Sequence, residues 1–426
     1  MRLLIKGGRV VDPACGRDEV ADLLLQDGLV AEVGKLAKAK ADRVIEAEGR
    51  VVCPGLIDVH VHLREPGEEH KETVLTGTAA AAAGGFTAVA CMPNTRPALD
   101  NASIVAEVIR RAAAASCRVY PVGAVTIGRE GKGLAELGDM RAAGAVAFSD
   151  DGSWIADGNL LRRALEYCRV LGVPVIEHCE DGSLACGGQM NESALSTRLG
   201  LPGKPAASEA AAVARDIEIA ECAGGRLHVA HVSCARGVEL IRSAKERGLA
   251  VTCETAPHYL TLTEEAVLGY DTNAKVNPPL RSRHDLEALR EAVADGTIDA
   301  IATDHAPHAT VDKEGEFDVA ASGISGLETA VGLILTELVA TGVISMARLV
   351  ELMSTGPARV LGLPGGALSP GDIADVTIID PKAAWTVEPS SFRSMGRNTP
   401  FAGRRLVGRP VCTVVGGEVV WEAECS

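Results

Sequence analysis

Leu56-Ile57-Asp58-Val59-His60-Val61-His62 is the stretch of this sequence that decides the fold. It is an apolar run that follows Pro54-Gly55 directly and ends in two histidines, two positions apart. Because side chains alternate along a β-strand, His60 and His62 lie on the same face. Two imidazoles in this arrangement can bind one metal ion together. The run therefore predicts a buried strand with a metal-binding C-terminal end.

Seven further apolar runs follow, and alanine-rich stretches such as 104–115, 160–171 and 208–222 predict helices between them. Eight strand signals that alternate with helices are typical of an α/β protein with a (β/α)8 TIM-type barrel. An open, doubly wound sheet is the alternative, but no G-x-G-x-x-G motif follows the first strand. The seven runs are Thr87–Met92, Val119–Val125, Ala145–Ser149, Val173–Ile176, Leu227–Val232, Ala250–Glu254 and Ile298–Thr303.

The two ends of the chain read differently from this middle part. Short strand-like runs in the first fifty and last sixty residues are separated by turn signals such as Asp27-Gly28 and Gly416-Gly417. We therefore expect a small β-sandwich domain built from both termini, residues 1–54 and 357–426. The barrel is expected to span residues 55–356.

Composition excludes several classes of function. The 426 residues include 42 Lys and Arg against 57 Asp and Glu, a net charge of −15, which argues against a partner that is a nucleic acid or an anionic membrane. A hydrophobic content of 47% excludes a disordered chain. The twelve cysteines form no C-x-x-C pair, and the first residues do not resemble a signal peptide. We expect a cytoplasmic protein with free thiols that acts on a small molecule.

Polar residues end five of the predicted strands, which is where a barrel enzyme keeps its reactive groups. On the fourth strand Asp151 shares its face with small residues and Asp150 with large ones, so we place Asp151 inside the barrel. The same alternation places Asp304 inside. Six inward ligands exceed one tetrahedral zinc site, so two Zn²⁺ ions that share a bridging carboxylate are the simplest interpretation. The inward set is His60, His62, Asp151, His178, His231 and Asp304.

Two other interpretations of this set remain open. Each histidine could be an ordinary buried histidine, although four histidines and two aspartates that all lie on inward strand ends disfavour that explanation. Cys179 and Cys234, which lie near His178 and His231 in the sequence, could be ligands instead, and strand alternation disfavours Cys179.

The segment from Pro54 to His62 resembles the opening of the amidohydrolase superfamily. Its continuation, Leu63-Arg64-Glu65-Pro66-Gly67, narrows the resemblance to the dihydroorotase family, and the similarity spans essentially the whole chain. The motifs are specific in combination and weak singly. They recur as Met92-Pro93-Asn94-Thr95, Phe148-Ser149-Asp150-Asp151-Gly152, Asn277-Pro278-Pro279-Leu280-Arg281 and Asp304-His305-Ala306-Pro307-His308.

The resemblance implies roles for individual residues. The six metal ligands that match are the same six residues, with Asp151 as the bridge and Asp304 also as the catalytic base and acid. Relatives usually carry Phe-Gly where this chain has Ser322-Gly323, a departure that changes the side chain packed over the substrate and keeps the backbone contact. The residues implied to bind substrate are His62, Arg64, Asn94, Asn277, His308, Ser322 and Gly323.

A contrast with neighbouring families narrows the resemblance further. Hydantoinases, dihydropyrimidinases and allantoinases usually bridge their metals with a carboxylated lysine at the end of the fourth strand. This chain has no lysine between Arg141 and Asp151. An aspartate bridge fits the bacterial class of dihydroorotases.

The activity implied is the reversible, zinc-dependent cyclisation of N-carbamoyl-L-aspartate to L-dihydroorotate in de novo pyrimidine (UMP) biosynthesis, with two zinc ions per subunit. The resemblance also implies a homodimer and an association with aspartate transcarbamoylase. Two alternatives stay open: another cyclic amidase of the hydantoinase or allantoinase type, and an inactive scaffold for aspartate transcarbamoylase. The segment 309–325 is long for a loop between a strand and a helix, which favours a lid over the site.

Overall fold

Two eight-stranded sheets organise the computed structural model, which describes residues 1–424. A third sheet has only two strands. The strands are β1 (Arg2–Asp12), β2 (Arg17–Gln26), β3 (Leu29–Gly34), β4 (Arg43–Glu46), β5 (Val51–Pro54), β6 (Leu56–Val61), β7 (Phe86–Cys91), β8 (Arg118–Gly123), β9 (Ala147–Ser149), β10 (Val175–Glu177), β11 (Met190–Asn191), β12 (Gly203–Lys204), β13 (Leu227–Val229), β14 (Val251–Thr255), β15 (Ala300–Ile301), β16 (Val376–Thr386), β17 (Arg405–Val415) and β18 (Glu418–Glu422).

The larger part of the chain forms a parallel barrel. Its strands follow the chain order β6-β7-β8-β9-β10-β13-β14-β15, and every neighbouring pair is parallel. A parallel bridge between Val61 and His305 brings the end of the last strand back to the first. All eight strands fall within or across the eight predicted apolar runs, so the predicted (β/α)8 barrel is confirmed.

Helices connect the barrel strands and pack around them. The last two barrel helices run on as π-helical turns, Leu335–Val339 and Glu351–Thr355. The α-helices are α1 (Val74–Ala83), α2 (Ala102–Arg111), α3 (Leu137–Ala142), α4 (Gly158–Leu171), α5 (Gly182–Ala185), α6 (Ala194–Leu199), α7 (Ala207–Ala223), α8 (Ala235–Glu246), α9 (Pro257–Thr261), α10 (Arg283–Asp295), α11 (Thr310–Lys313), α12 (Ala330–Ile334), α13 (Met346–Val350) and α14 (Gly356–Leu361).

The second large sheet joins the two termini. Its order is β18-β17-β16-β5-β1-β2-β3, with β4 paired to β1. Val52 of β5 pairs with Val10 on one side and with Ile378 on the other, so this strand joins the N-terminal and C-terminal parts. A β-domain built from both termini is therefore confirmed. The boundaries 1–54, 55–356 and 357–426 stay a prediction, and residues 425–426 lie outside the described residues.

The barrel interior is filled below the site by small side chains, which leave room for polar groups above them. Ala147, Ala230, Ala300 and Ala302 belong to this inner cluster. Gly55 precedes β6, where a Cβ atom would come within 2.1 Å of the Thr87 hydroxyl, so only glycine fits there. Among residues 1–424, no helix is long and apolar enough to cross a membrane.

Candidate active site

A cavity of about 190 Å³ opens at the C-terminal end of the barrel strands. It is lined by every predicted site residue except His60, which is fully buried beside it. The structure thus brings together residues that are up to 263 positions apart in the sequence, from His60 to Gly323. The lining residues are His62, Arg64, Asn94, Asp151, Gly152, His178, His231, Asn277, Asp304, Ala306, His308, Ser322 and Gly323.

Two groups of side chains in this cavity can each hold a metal ion, and they share Asp151. One group is His60, His62 and Asp151, and the other is Asp151, His178 and His231; within each group the ligand atoms lie within 4.8 Å of one another. The Nε2 atom of His60 is 3.3 Å from Oδ1 of Asp151, and Nε2 of His62 is 3.7 Å from Oδ2. Both oxygens of Asp151 therefore face imidazole nitrogens.

The second group is equally compact. The Nδ1 atom of His178 is 2.9 Å from Nε2 of His231, and these atoms lie 3.8 and 3.6 Å from Oδ1 of Asp151. His178 therefore faces the site with Nδ1, whereas His60, His62 and His231 face it with Nε2.

The chemistry of these groups fits a metal ion. Nε2 of His60 and Oδ1 of Asp151 are buried without a hydrogen-bond partner among residues 1–424, and they face each other. Burial alone would raise the pKa of Asp151, but His60, His178 and His231 outweigh it and hold the pKa well below its usual range. An ionised carboxylate and an unpartnered imidazole nitrogen that face each other in one buried gap are ligands that a divalent cation needs.

Asp304 adds a second carboxylate on the same side. Its Oδ1 atom is 3.1 Å from Nε2 of His62 and 3.7 Å from Nε2 of His60. Burial alone would raise the pKa of Asp304, but His62, His60 and His231 lower it below the usual value. Asp304 is therefore an ionised oxygen base at the edge of the candidate metal centre.

Three of the predicted site residues have an unusual backbone conformation. Arg64, His231 and Asp304 lie in the left-handed region, with φ values of 61°, 33° and 47°. A residue with a side chain is disfavoured there by about 1–2 kcal/mol, and such strain is concentrated at functional sites. At each of these residues the backbone turns sharply, and the side chain lines the cavity.

The two cysteines considered as alternative ligands make other contacts. The Cys179 thiol lies 3.4 Å from a carboxylate oxygen of Asp216, and the Cys234 sulfur accepts a hydrogen bond from the backbone amide of Gly237. Burial raises the pKa of both thiols, which opposes the thiolate form that binds metals. Asp150 also points away from the centre, because its carboxylate accepts hydrogen bonds from the amide and hydroxyl of Thr126.

The residues predicted to hold a substrate line the wall of the cavity that lies opposite the metal-binding groups. The Nε atom of Arg64 donates to the carbonyl of Pro307 at 3.1 Å, which leaves the end of the guanidinium beside His308. Burial and the positive charge of Arg64 lower the pKa of His308 to about 3, so its imidazole is neutral near pH 7. Asn94 accepts a hydrogen bond of 2.8 Å at Oδ1 from Nδ1 of His62.

Position 323 requires glycine, because a side chain would not fit there. Its φ of 142° is in the region that glycine tolerates, and a Cβ atom would lie 2.6 Å from Cβ of Ala306 and 3.2 Å from Nε2 of His308. The Ser322 carbonyl accepts a hydrogen bond of 2.9 Å from that imidazole nitrogen. The backbone at 322–323 therefore forms part of the cavity wall.

Sequence reasoning missed a buried chain of residues behind His60. Nδ1 of His60 donates to Glu254 at 2.6 Å, and the other oxygen of Glu254 lies 3.1 Å from Nε2 of His228. Nδ1 of His228 in turn lies 2.8 Å from the Thr252 hydroxyl. Glu254 ends the seventh apolar run, so a search for every polar residue at a strand end could have found it.

Lys204 and Glu180 were also missed. The ammonium of Lys204 donates to a carboxylate oxygen of Glu180 at 2.6 Å and to Oδ1 of Asn277. Neither residue ends a predicted barrel strand or belongs to a quoted motif, so the sequence carries no signal that points to them.

The segment predicted as a lid is tied down by two buried lysines. Lys313 donates to the carbonyls of Thr272 and Ala321, and Lys275 donates to those of Phe317 and Asp318. Burial lowers the pKa of Lys313 to about 7, and the charge of Lys275 adds to this effect. Whether the segment 309–325 moves as a lid stays a prediction.

Comparison with known proteins identifies the family. Residues 49–236 match a family model described as dihydro-orotase-like. A dihydroorotase from Pelotomaculum thermopropionicum is 56% identical over 422 residues, covering 99% of both chains. One from Syntrophus aciditrophicus is 52% identical over 427 residues, covering 100% of both. The chain belongs to the dihydroorotase family.

Solved structures place this dihydroorotase family member among cyclic amide hydrolases. An L-hydantoinase (dihydropyrimidinase) from Arthrobacter aurescens has a TM-score of 0.90 and 30% identity, covering 99% of this chain and 96% of its own. A dihydropyrimidinase from Brevibacillus agri NCHU1002 has a TM-score of 0.87 and 26% identity, covering 99% and 95%. Membership of this family implies a metal cofactor, which the shared His and Asp groups fit.

Proposed function

We propose that this chain is a dihydroorotase, which catalyses the reversible cyclisation of N-carbamoyl-L-aspartate to L-dihydroorotate in de novo pyrimidine (UMP) biosynthesis. The observation that carries the proposal is the position of Arg64, whose buried guanidinium lines the same small cavity as Asp304 and the shared metal groups. A planar guanidinium binds a carboxylate through two parallel N–H groups, and this substrate carries a carboxylate beside its ring.

The proposal includes two zinc ions per subunit: His60 and His62 would hold one, His178 and His231 would hold the other, and Asp151 would be the ligand that the two groups share. Its support is that the two oxygens of Asp151 face imidazoles of both groups. Neutral imidazole and carboxylate are ligands that suit Zn²⁺. When bound, the metal supplies a Lewis acid that polarises the scissile carbonyl and acidifies water. The aspartate bridge is also the reason to propose the bacterial class of the family.

Asp304 is proposed as the catalytic base and acid. Written as hydrolysis, water adds to a ring carbonyl carbon, and the bond from that carbon to the neighbouring ring nitrogen breaks. Asp304 accepts a proton from the attacking water and donates it to the departing nitrogen. Its Oδ1 atom lies 3.1 Å from His62, so the proton acceptor stands at the edge of the metal centre, where the water must approach.

The remaining predicted residues are proposed to hold and orient the substrate. Arg64 binds the carboxylate, and neutral His308 is positioned by the Ser322 carbonyl to contact the same end of the ligand. Asn94 is fixed by His62 and offers its amide to the cavity. Asn277 and the backbone of Ser322-Gly323 line the other side.

Turnover and metal content, measured in the same preparation, test this function. We expect opening of the L-dihydroorotate ring and closure of N-carbamoyl-L-aspartate by protein that contains zinc, with both reactions lost after chelation and restored by added Zn²⁺. Bound zinc without turnover of either compound would contradict the proposal.

A hydantoinase-type activity is the second candidate, because the hydantoinase structures share the whole fold. Arg64 opposes it, since a planar guanidinium in the cavity suits a substrate carboxylate, which hydantoin and allantoin lack. Assays with hydantoin and allantoin beside L-dihydroorotate separate the two candidates. A scaffold without activity would show neither bound metal nor turnover, whereas all six candidate metal ligands lie at the cavity here.

The setting of the enzyme is proposed from the family resemblance. We propose a cytoplasmic homodimer that associates with aspartate transcarbamoylase and with no nucleic acid or membrane. Light scattering of the purified protein, with and without aspartate transcarbamoylase, measures both the subunit number and the association.

A further inference from the structure

Lys204 lies in the long connection between β10 and α7, beside the cavity but on neither a barrel strand nor a barrel helix. Its backbone is fixed from two directions. Asn191 pairs with Lys204 in the two-stranded sheet, and the Lys204 carbonyl accepts hydrogen bonds from the amide of Glu192 at 3.1 Å and from Arg281 at 3.0 Å. These contacts therefore hold the Cα atom of Lys204 in place.

The ammonium of Lys204 is buried, with 8% of the residue exposed. Burying an ammonium is costly unless polar partners replace water. Two partners do so here: Oε2 of Glu180 at 2.6 Å and Oδ1 of Asn277. Lys204 thus joins a carboxylate to a carboxamide that lines the cavity.

The contact with Asn277 decides which way its carboxamide faces. An ammonium has only donors, so its partner on Asn277 has to be the carbonyl oxygen. The Nδ2 group then faces the opposite way, 3.1 Å from Nε2 of His178. The two contacts compete: His178 faces the metal groups with Nδ1, so its neutral form carries a hydrogen on Nε2 and favours the carbonyl oxygen of Asn277, whereas the charged ammonium of Lys204 makes the stronger, charge-assisted hydrogen bond and keeps that oxygen.

We propose that Lys204 is a positioning residue that holds the N–H groups of Asn277 toward the substrate and thereby sets the affinity for it. With the carbonyl oxygen held by Lys204, the cavity presents a donor at this point instead of an acceptor. A donor is what a ring carbonyl or carboxylate oxygen of the ligand requires. The inference rests on the proposed dihydroorotase function.

Lys204→Met tests the proposal, because methionine keeps an unbranched side chain without any donor. We expect the KM for L-dihydroorotate to rise about tenfold, which corresponds to about 1.4 kcal/mol, with kcat nearly unchanged. Calorimetry of L-dihydroorotate binding to metal-free protein should show the same loss of affinity, because turnover plays no part there.

A double-mutant cycle asks whether the effect passes through Asn277. Asn277→Ala alone should raise KM, and adding Lys204→Met to it should change KM by no more than about twofold. If the Lys204→Met penalty appeared in full on the Asn277→Ala background, positioning through Asn277 would be wrong.

Lys204→Gln keeps an N–H donor without the charge, so its KM should stay within about threefold of the parent value. A KM as high as that of Lys204→Met would overturn the proposal. The matched control is Lys245→Met, since Lys245 is half-buried and likewise bonds a carboxylate and a carbonyl, those of Asp299 and Thr297, at the opposite end of the barrel. It should lower thermal stability and leave KM unchanged.

The two proposals fail in different ways. If the parent protein turned over no L-dihydroorotate, the proposed function would fail. If the parent were active and Lys204→Met folded with an unchanged KM and unchanged binding, only the role of Lys204 would fail. Should Lys204→Met not fold, Lys204→Ala replaces it in the parent and in the Asn277→Ala background, with the same expected and contradicting changes in KM.

Discussion

The imidazole of His60 donates a hydrogen bond of 2.6 Å from Nδ1 to the carboxylate of Glu254, and both side chains are buried. The second oxygen of Glu254 accepts from His228 at 3.1 Å. Burial alone would raise the pKa of Glu254, but His60 and His228 lower it to about 2, so the group is ionised. The hydrogen on Nδ1 leaves the lone pair of Nε2 facing Asp151, which is the tautomer that a metal ligand needs.

Glu254→Gln should therefore weaken metal binding. Both imidazoles donate to the carboxylate, and an amide has only one oxygen, so one of the two hydrogen bonds is lost. Replacing such an outer partner typically costs ten- to a hundredfold in metal affinity. Competition with a chromogenic chelator measures the dissociation constant for Zn²⁺ without reference to turnover.

Glu239→Gln is the matched control, because Glu239 is an exposed carboxylate that pairs with Arg236 on the surface of α8. It should leave the zinc affinity of the parent unchanged. Equal affinity in the Glu254→Gln variant and the control would show that Glu254 has no part in orienting His60.

Arg64→Lys should raise the KM for L-dihydroorotate at least tenfold, which is about 1.4 kcal/mol. Lysine keeps the charge but loses the planar pair of donors, and the hydrogen bond that fixes Nε to the Pro307 carbonyl is also lost. Steady-state kinetics measure the change, with the exposed Arg110→Lys as control. An unchanged KM would mean that Arg64 does not bind the substrate carboxylate.

The fold could be predicted from the sequence because its signals are local. Each barrel strand is an apolar run between alanine-rich stretches, and glycine turns mark the terminal strands. The sequence did not predict which residues of β5 pair with β1 and with β16. That register depends on how the terminal strands meet in the folded chain. On the fourth strand, the small side chains that share the face of Asp151 followed from alternation, and Ala147 lies in the inner cluster.

The site was predictable for a different reason, and alternation along the strands explains it only in part. Strands β13 and β15 end at Val229 and Ile301, before His231 and Asp304 are reached. Positive φ values then turn both residues into the cavity, so strand alternation does not govern their direction. These positions were identified because two independent signals agreed: polar residues after strands, and the family motifs.

Hydrogen-bond partners that lie on different strands or loops could not be predicted from the sequence. His228 of β13 reaches Glu254 of the neighbouring strand β14, 26 positions along the sequence, only because the two strands pair side by side. Lys204 meets Asn277 across 73 positions of sequence, and only the folded connection brings them together. Pairing of this kind depends on distances between elements, which a single sequence does not contain.

Asp304→Asn should lower kcat by about 10²–10⁴-fold, because an amide cannot take up and return the proton. Zinc content has to be measured in the same sample, since Asp304 also lies near the metal groups. Loss of turnover with metal retained supports the role as base and acid. An Asp304→Asn variant that retained both metal and parental kcat would rule that role out.

Glu328→Gln should change how stability depends on pH. Burial raises the pKa of Glu328 to about 7, although the backbone amides of Arg393 and Ser394 donate to it. The folded protein thus holds a proton up to about pH 7, whereas the unfolded chain releases it near its ordinary value of 4.5, so stability falls as pH rises between these values. At 1.36 kcal/mol per pKa unit, the free energy of unfolding of the parent should fall by about 2–3 kcal/mol relative to that of the variant between pH 5 and 8.

Urea unfolding of both proteins across this pH range measures the difference, and the exposed substitution Glu246→Gln is the control. Parallel pH profiles for the parent and Glu328→Gln would contradict the prediction.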